Sequence, residues 1–145
     1  MSCLLTLWAA GAAAQSEPVE RGSAPTEADV LCAGMITSDK VPYDMYVISG
    51  QEADPQTIYS KGQYVYINRG SGDGVKVGDN FMVLRPESDF VNVKVYDEEN
   101  SLARALGTQW TDVGRIHVVV VQPKVSIAQV SYSCTYMQRG DYVRP

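Results

Sequence analysis

The stretch from Tyr59 to Pro86 constrains the fold of this chain more than any other part of the sequence. Gln63–Asn68 (QYVYIN) alternates and is rich in Tyr, Val and Ile, which is typical of a half-buried strand. Asn80–Arg85 (NFMVLR) has the same character, and Pro86 ends it because proline cannot continue a ladder of hydrogen bonds. The three glycines of Arg69–Gly74 (RGSGDG) supply backbone angles that other residues avoid. The stretch therefore predicts a β-hairpin that carries no obvious reactive group.

A short pattern recurs at Lys61–Val65, Val77–Phe81 and Arg139–Val143, where a glycine and then Gln or Asp precede an aromatic or apolar run. It predicts a turn whose glycine is left-handed and whose Gln or Asp side chain satisfies nearby N–H groups. The residues expected to shape turns and loops are Gly62, Gly70, Gly74, Gly78, Asp79, Gly140 and Asp141.

The rest of the chain adds further β-prone runs and one helical fragment, Ser101–Leu106. Four consecutive valines within Arg115–Gln122 predict a strand buried on both faces, and a turn at Pro123 returns the chain as a second strand. The other predicted strands are Val30–Thr37, Met45–Ser49, Phe90–Tyr96, Val125–Ser133 and Asp141–Arg144. We predict a mostly β fold, a small barrel or sandwich of about eight short strands with one short helix.

The N-terminus has the composition of an export signal. Leu4–Ala14 is apolar, is too short to span a bilayer and ends in three alanines, which predicts a signal peptide over residues 1–14. Its positive residues are missing, so the natural start lies upstream or has been clipped. Polar residues 15–29 predict a flexible leader, and residues 30–145 a single β domain. The closing Arg144-Pro145, which repeats Arg85-Pro86, suggests that this domain is the first module of a longer protein.

Two cysteines remain after the leader, Cys32 and Cys134. An even number in an exported chain predicts a disulfide. If both cysteines lie on strands, each shares a face with apolar residues, which would bring them to the same side of the fold. The alternative is a pair of buried free thiols.

The sequence gives no pattern for catalysis, metal binding or a cofactor. His117 is the only histidine and therefore has no histidine with which to share a metal, and Gly-x-Ser-x-Gly is missing. Gly70–Gly74 lacks the Gly-Lys-Ser/Thr ending of a phosphate loop. The net charge is −5 without a run of Lys or Arg, which disfavours nucleic acid. We expect a protein that is not an enzyme, has no cofactor or metal, and has no membrane span.

Nine tyrosines leave room for a binding surface. Tyr64, Tyr66 and Trp110 are the candidates for a face that contacts a sugar or a peptide, since such rings combine apolar area with a polar tip. The alternative is the ordinary preference of β-strands for aromatic residues.

The segments VYINRGSGDGVKVGDNFMVLRP, VGRIHVVVVQPKVSIAQVS and MQRGDYV resemble the C-terminal β-domain of the bacterial flagellar assembly protein T and related LysM-associated secreted envelope proteins. The resemblance covers roughly residues 59–145, with 90–110 loosely fitted. It implies a role in envelope assembly. We predict an exported, periplasmic or extracellular, non-catalytic interaction module whose partner is an envelope protein or cell-wall glycan. The alternative function is a module that binds peptidoglycan or another polysaccharide through exposed Tyr and Trp.

Overall fold

The computed structural model describes residues 22, 24–51, 57–87 and 97–145. Its elements are α1 (Glu27–Leu31), β1 (Met35–Thr37), β2 (Val47–Gly50), β3 (Ile58–Tyr59), β4 (Tyr64–Ile67), a 3-10 turn (Ser71–Asp73), β5 (Asn80–Pro86), α2 (Asp97–Leu106), β6 (Thr108–Val121), β7 (Ser126–Ser133), β8 (Met137–Gln138) and β9 (Tyr142–Arg144). The predicted mostly β class is confirmed. Within the described ranges, no helix has the length and apolar character needed to cross a membrane.

Most strands belong to one antiparallel sheet with the order β2-β4-β7-β6-β5-β9. β1 adds to β6 outside this path, and β3 pairs with β8 in a separate two-stranded sheet. The two ends of the path approach each other, because Tyr46 bridges Tyr142 and Val143 N–H donates to the Met45 carbonyl over 2.8 Å. These links do not form a continuous ladder. The sheet therefore curls around its core without closing into a barrel, in keeping with a sandwich.

Along β4 and the second half of β6, buried residues alternate with more exposed ones. Val65 and Ile67 of β4 are fully buried while Tyr64 points outward, and Ile116 of β6 is buried beside the half-buried His117. Each fully buried aliphatic side chain contributes about 1.5–3 kcal/mol to folding. The other fully or almost fully buried aliphatic and methionine side chains are Val47, Val83, Leu84, Val113, Val118, Ala128, Val130, Met137 and Val143.

The predicted hairpin between β4 and β5 is wrong. β4 pairs with β2 and β7, whereas β5 pairs with β6 and β9. The glycine-rich connection between β4 and β5 packs instead against the turn between β6 and β7. Ser71 N–H donates to the Gln122 carbonyl over 2.9 Å, and Gly72 N–H donates to the Pro123 carbonyl over 3.1 Å. The loop between β4 and β5 is therefore not a hairpin turn, and the two strands do not lie next to each other in the sheet.

The predicted strand over Val30–Thr37 is correct only in its last three residues. The Thr26 side chain accepts from Asp29 N–H, and the Asp29 carboxylate accepts from Thr26 N–H, so a capping box starts α1 in this part of the chain. Reciprocal capping of this kind outweighs the β-propensity of the two or three residues that follow it.

Two further boundaries differ from the prediction. The expected turn over 97–100 forms the start of α2, and most of the expected loop over 107–114 belongs to β6. The hairpin of β6 and β7 around Pro123 is confirmed, but its valines are not buried on both faces, since Val118 is buried and Val120 is 45% exposed. The predicted signal peptide and the predicted strand Phe90–Tyr96 lie outside the described residues.

Candidate functional site

A disulfide ties the start of the described chain to the end of β7. The sulfur atoms of Cys32 and Cys134 are bonded, and their Cα atoms lie 5.4 Å apart. The even number of cysteines predicts this pair, and the structure contains it. The expected strand face is wrong, however, because Cys32 is the C-cap residue of α1 and both cysteines are half-buried. We call residues 24–37 the N-terminal segment and the strands β2–β9 the body.

Apart from the disulfide, main-chain pairing holds the N-terminal segment on the body. β1 runs antiparallel to the first three residues of β6, with Met35 opposite Trp110. Arg115 adds a hydrogen bond of 3.2 Å from Nη2 to the Leu31 carbonyl, while its Nη1 donates to Asp112 over 2.6 Å. Little side-chain burial supports these contacts, because no residue of α1 is buried and Met35 is 39% exposed.

Two glycines permit the close approach of β1 to β6. Gly34 has φ 66°, and a Cβ at this position would lie 2.6 Å from the Trp110 carbonyl oxygen. Gly107 has φ 121°, and a Cβ there would lie 2.2 Å from the Thr37 carbonyl oxygen. Both contacts are closer than real Cβ atoms tolerate. Beside the strand pair lies a pocket of about 350 Å³ lined by Ala33, Met35, Ile36, Gln109 and Trp110.

A larger cleft of about 550 Å³ lies at the opposite end of β5 from this junction. The apolar residues Met45, Val75 and Phe81 line it together with charged residues. Four of its charged side chains form ion pairs, since Arg69 contacts Asp73 over 2.7 Å and Arg144 contacts Asp44 over 3.2 Å. The N–H of Gly70 and the guanidinium of Arg69 hold the pKa of Asp73 below its usual value. The Asp79 carboxylate, which also lines the cleft, accepts instead from the Lys76 N–H over 2.8 Å.

Trp110 does not share an exposed face with Tyr64 and Tyr66, the two other aromatic residues expected to form a ligand face. Trp110 is only 6% exposed, and its ring meets that of Tyr142 edge-on with centroids 4.9 Å apart. The expectation that Trp110 lies on a binding surface is therefore wrong, because its ring packs inside the fold. Tyr64 and Tyr66 share the outward face of β4, where Tyr64 is 38% exposed.

A second aromatic cluster is formed by Tyr43, Tyr46 and Tyr142. Tyr43 stacks on Tyr46 with centroids 4.8 Å apart and contacts Tyr142 at 4.5 Å. Partial desolvation raises the pKa of Tyr43, and the neighbouring Tyr46, Tyr142 and Asp141 raise it further. The three rings come from two segments that the Tyr46–Tyr142 bridge joins, so the cluster covers the seam between the two ends of the sheet.

The three repeated turns share one geometry. Gly62, Gly78 and Gly140 have φ of 92°, 95° and 86°. The next residue in each turn accepts from a main-chain N–H three positions earlier. The three pairs are Gln63 with Ser60 at 2.7 Å, Asp79 with Lys76 at 2.8 Å, and Asp141 with Gln138 at 2.8 Å.

The glycines of the loop between β4 and β5 serve two different purposes. Gly74 is left-handed, with φ 89°. Gly70 is extended at φ −138°, so the expectation of a special backbone angle there is wrong. Gly70 is needed for space, since a Cβ would lie 2.1 Å from the Gln122 carbonyl oxygen.

Sequence reasoning missed the most buried ion pair. Arg85 holds the Asp141 carboxylate with two hydrogen bonds of 2.8 Å, and the Asp141 side chain is 1% exposed. Arg85 also donates to the Tyr136 carbonyl over 3.0 Å and lies 5.0 Å from the Tyr136 ring centroid. The hydrogen bonds to Asp141 raise the pKa of Arg85. The repeated turn marks Asp141, but no local pattern links it to an arginine 56 positions away.

His117 lies half-buried on β6, with Nδ1 3.0 Å from the Asn80 side-chain oxygen on β5. Among the described residues, no group of three or more His, Cys, Asp or Glu is placed to hold a metal ion. Comparison with protein-family models, curated proteins and solved structures found no match for the chain. The resemblance to the flagellar assembly protein stays a prediction.

Proposed function

We propose that this protein is an exported, non-catalytic interaction module of the bacterial envelope, in which a disulfide-linked β domain docks to a partner protein. The observation that carries the proposal is the bond between Cys32 and Cys134. Disulfides persist in oxidising compartments and are rare in the cytosol, so this bond supports export. The apolar run before Gln15 supports it independently.

Main-chain pairing at a free strand edge is the proposed docking mechanism. In the part of the chain that the structure describes, β1 pairs with β6 along one edge only. The side chains of Met35 and Ile36, which point to opposite faces of β1, are 39% and 48% exposed beside its other edge. An edge with unpaired main-chain groups and exposed apolar side chains can add a strand from a partner.

Cell fractionation tests the export step. The sequence is expressed in a bacterium, and peptide mass spectrometry of each fraction reports the N-terminus and the state of both cysteines. We expect periplasmic or secreted protein that begins after Ala14 and contains the Cys32–Cys134 peptide. Protein that stays in the cytosol with both thiols free contradicts the proposal.

Site-specific photocrosslinking tests the docking edge. A photoreactive residue replaces Ile36, and the matched control carries it at Val77, which is 66% exposed on the turn before β5. We expect a discrete crosslinked envelope protein from position 36 and none from position 77. Equal labelling at both positions would show that the β1 edge has no special role.

The alternative function, glycan binding, is favoured by one observation, the side-by-side placement of Tyr64 and Tyr66 on the outward face of β4. We expect sedimentation with purified peptidoglycan to be lost in Tyr64→Ala if this function is correct. Ile58→Ala, which alters another exposed side chain on β3, is the control. Failure of the unmodified protein to sediment eliminates glycan binding and leaves the docking proposal untouched.

A further inference from the structure

We propose that the edge of β6 at Thr108–Trp110 accepts the N-terminal segment of a second copy of this chain in place of its own. The swapped segment would then be locked by a disulfide from Cys32 of one copy to Cys134 of the other. This is a property of the chain itself, so it holds for the purified protein whether or not the exported role is correct.

The structure shows what this edge binds. β1 lies on it in antiparallel register, with Met35, Ile36 and Thr37 opposite Trp110, Gln109 and Thr108. Each of these contacts is with a segment that every copy of the chain carries. A second copy therefore presents the same main-chain groups in the same register, and the edge cannot distinguish it from its own segment.

The attachment within one chain rests on few contacts. β1 contains three residues, α1 buries no side chain, and Val30 and Ile36 are 66% and 48% exposed. Tyr43, Met45 and Tyr46 are held on the body, so the connection that can move is residues 38–42. These five residues can span about 17 Å when extended, which lets the segment leave its own body for a second body that lies directly beside it. Short strands joined to the body by such connections are the elements that exchange between copies.

The disulfide fixes whichever arrangement is present when it forms. A small thiol such as glutathione opens Cys32–Cys134 by attack on one sulfur, which gives a mixed disulfide and one free cysteine thiolate. That thiolate can close again on its own chain or on a second chain. Either closure releases glutathione, so the number of disulfides is conserved.

Complementary cysteine variants test the swap. The full chain carries Cys3→Ser, and one preparation adds Cys32→Ser while the other adds Cys134→Ser, so neither can form an internal bond. The two are mixed in a buffer of reduced and oxidised glutathione, and peptide mass spectrometry counts the intermolecular pairs. We expect the 32–134 pair at least ten times more often than the 32–32 and 134–134 pairs combined. A random 1:2:1 distribution overturns the proposal.

A second measurement keeps both cysteines and therefore does not depend on the folding of those variants. Equal amounts of unlabelled and ¹⁵N-labelled chain carrying Cys3→Ser are incubated in the same glutathione buffer. We expect covalent dimers in which a light Cys32 peptide is bonded to a heavy Cys134 peptide. Only light–light and heavy–heavy pairs would contradict the swap.

Two glycine variants connect the result to strand pairing. Gly34→Ala places a Cβ 2.6 Å from the Trp110 carbonyl oxygen and should lower the yield of mixed pairs at least fivefold. Gly62→Ala is the matched control, because Gly62 is also left-handed but has no atom within 4 Å of the added Cβ. Equal yields in the two variants would show that the cysteines meet by collision rather than through β1 and β6.

Discussion

Asp79 and Asp141 occupy the same position in two copies of one turn, yet their surroundings differ. Each carboxylate accepts a main-chain hydrogen bond of 2.8 Å inside its turn. Asp79 is half-buried at the rim of a cleft, whereas the Asp141 side chain is 1% exposed and is gripped by Arg85. A buried carboxylate needs its cation because desolvation is costly, and a rim carboxylate does not.

The matched substitutions Asp141→Asn and Asp79→Asn separate the turn from the ion pair. Asparagine can still accept the main-chain hydrogen bond, so the turn itself is kept in both variants. Asp141→Asn removes the charge that neutralises Arg85 and should lower the free energy of unfolding by about 2–4 kcal/mol. Asp79→Asn should cost less than about 1 kcal/mol. Urea unfolding measures both, and equal losses would contradict a special role for the Arg85–Asp141 pair.

Trp110 is a structural residue of the core rather than part of a ligand face. Trp110→Ala should lower the free energy of unfolding by about 3–5 kcal/mol, because it leaves a cavity against Tyr142. Tyr64→Ala, which alters a ring 38% exposed on β4, should cost less than about 1 kcal/mol. Chemical denaturation followed by circular dichroism gives both values. A small loss for Trp110→Ala would mean that its ring is not packed as described.

At the scale of elements, the loop between β4 and β5 is held by the turn between β6 and β7. Ser126 Oγ donates to the Arg69 carbonyl over 2.8 Å, in addition to the two main-chain bonds from Ser71 and Gly72. Asp73 closes the loop on itself by accepting from Gly70 N–H over 3.1 Å. These contacts explain how a connection rich in glycine holds one defined shape.

Two glycines in this loop should respond differently to alanine. Gly70→Ala drives a Cβ to 2.1 Å from the Gln122 carbonyl oxygen and should separate the loop from the turn between β6 and β7. We expect a loss of about 2–4 kcal/mol, as for other overpacked sites. Gly74→Ala meets no atom within 4 Å but must adopt φ 89°, which costs about 1–2 kcal/mol. Thermal unfolding ranks the two, and the reverse order would contradict the packing described.

The same loop should make part of the stability depend on pH. The Gly70 N–H and the Arg69 guanidinium lower the pKa of Asp73 from its ordinary value of 3.8. A carboxylate whose folded pKa is lowered adds stability that is fully present above its unfolded pKa and is lost as pH falls through the folded pKa. We therefore expect the urea midpoint to fall on acidification below about pH 4, and to fall less steeply in Asp73→Asn. An unchanged slope in the variant would exclude Asp73 as a cause.

Most strands of the main sheet were predictable, but β3 and β8 were missed, and the pairing of the strands was not predictable. The runs of β-branched, aromatic and other apolar residues identify β4, β5, β6 and β7, of which β4 also alternates. They say nothing about order in the sheet, and β7 and β6 lie between β4 and β5. The start of α1 was missed because the capping box of Thr26 and Asp29 precedes a run that reads as β. In the candidate site, the repeated turn predicts the position of Asp141. The pairing of Asp141 with Arg85 depends on tertiary packing alone.

For the whole molecule, the disulfide joins the N-terminal segment, which has no buried residue, to the end of β7 in the main sheet. β6 pairs with β5 and β7 along most of its length, whereas β1 adds three residues at its start. The disulfide therefore has two effects, one on the unfolded chain and one on the folded protein. It lowers the conformational entropy of the unfolded chain by joining residues 102 positions apart, and it prevents the N-terminal segment from leaving the folded body.

Removal of the disulfide should reveal both effects in one variant. A closure of this length is worth about 4–5 kcal/mol in the chain-entropy model. The double variant Cys32→Ser, Cys134→Ser should lose less than this, about 2–4 kcal/mol, because its folded state regains freedom when the N-terminal segment detaches. Detachment uncovers the β6 edge, so amide hydrogens of β1 and Thr108–Trp110 should exchange far faster than those at Ile116 and Val118. Urea unfolding measures the loss in the free energy of unfolding, and hydrogen exchange with mass spectrometry measures the exchange rates of these amides. Uniform protection along β6 in the double variant would contradict this account, because it would mean that β1 stays docked without its covalent bond.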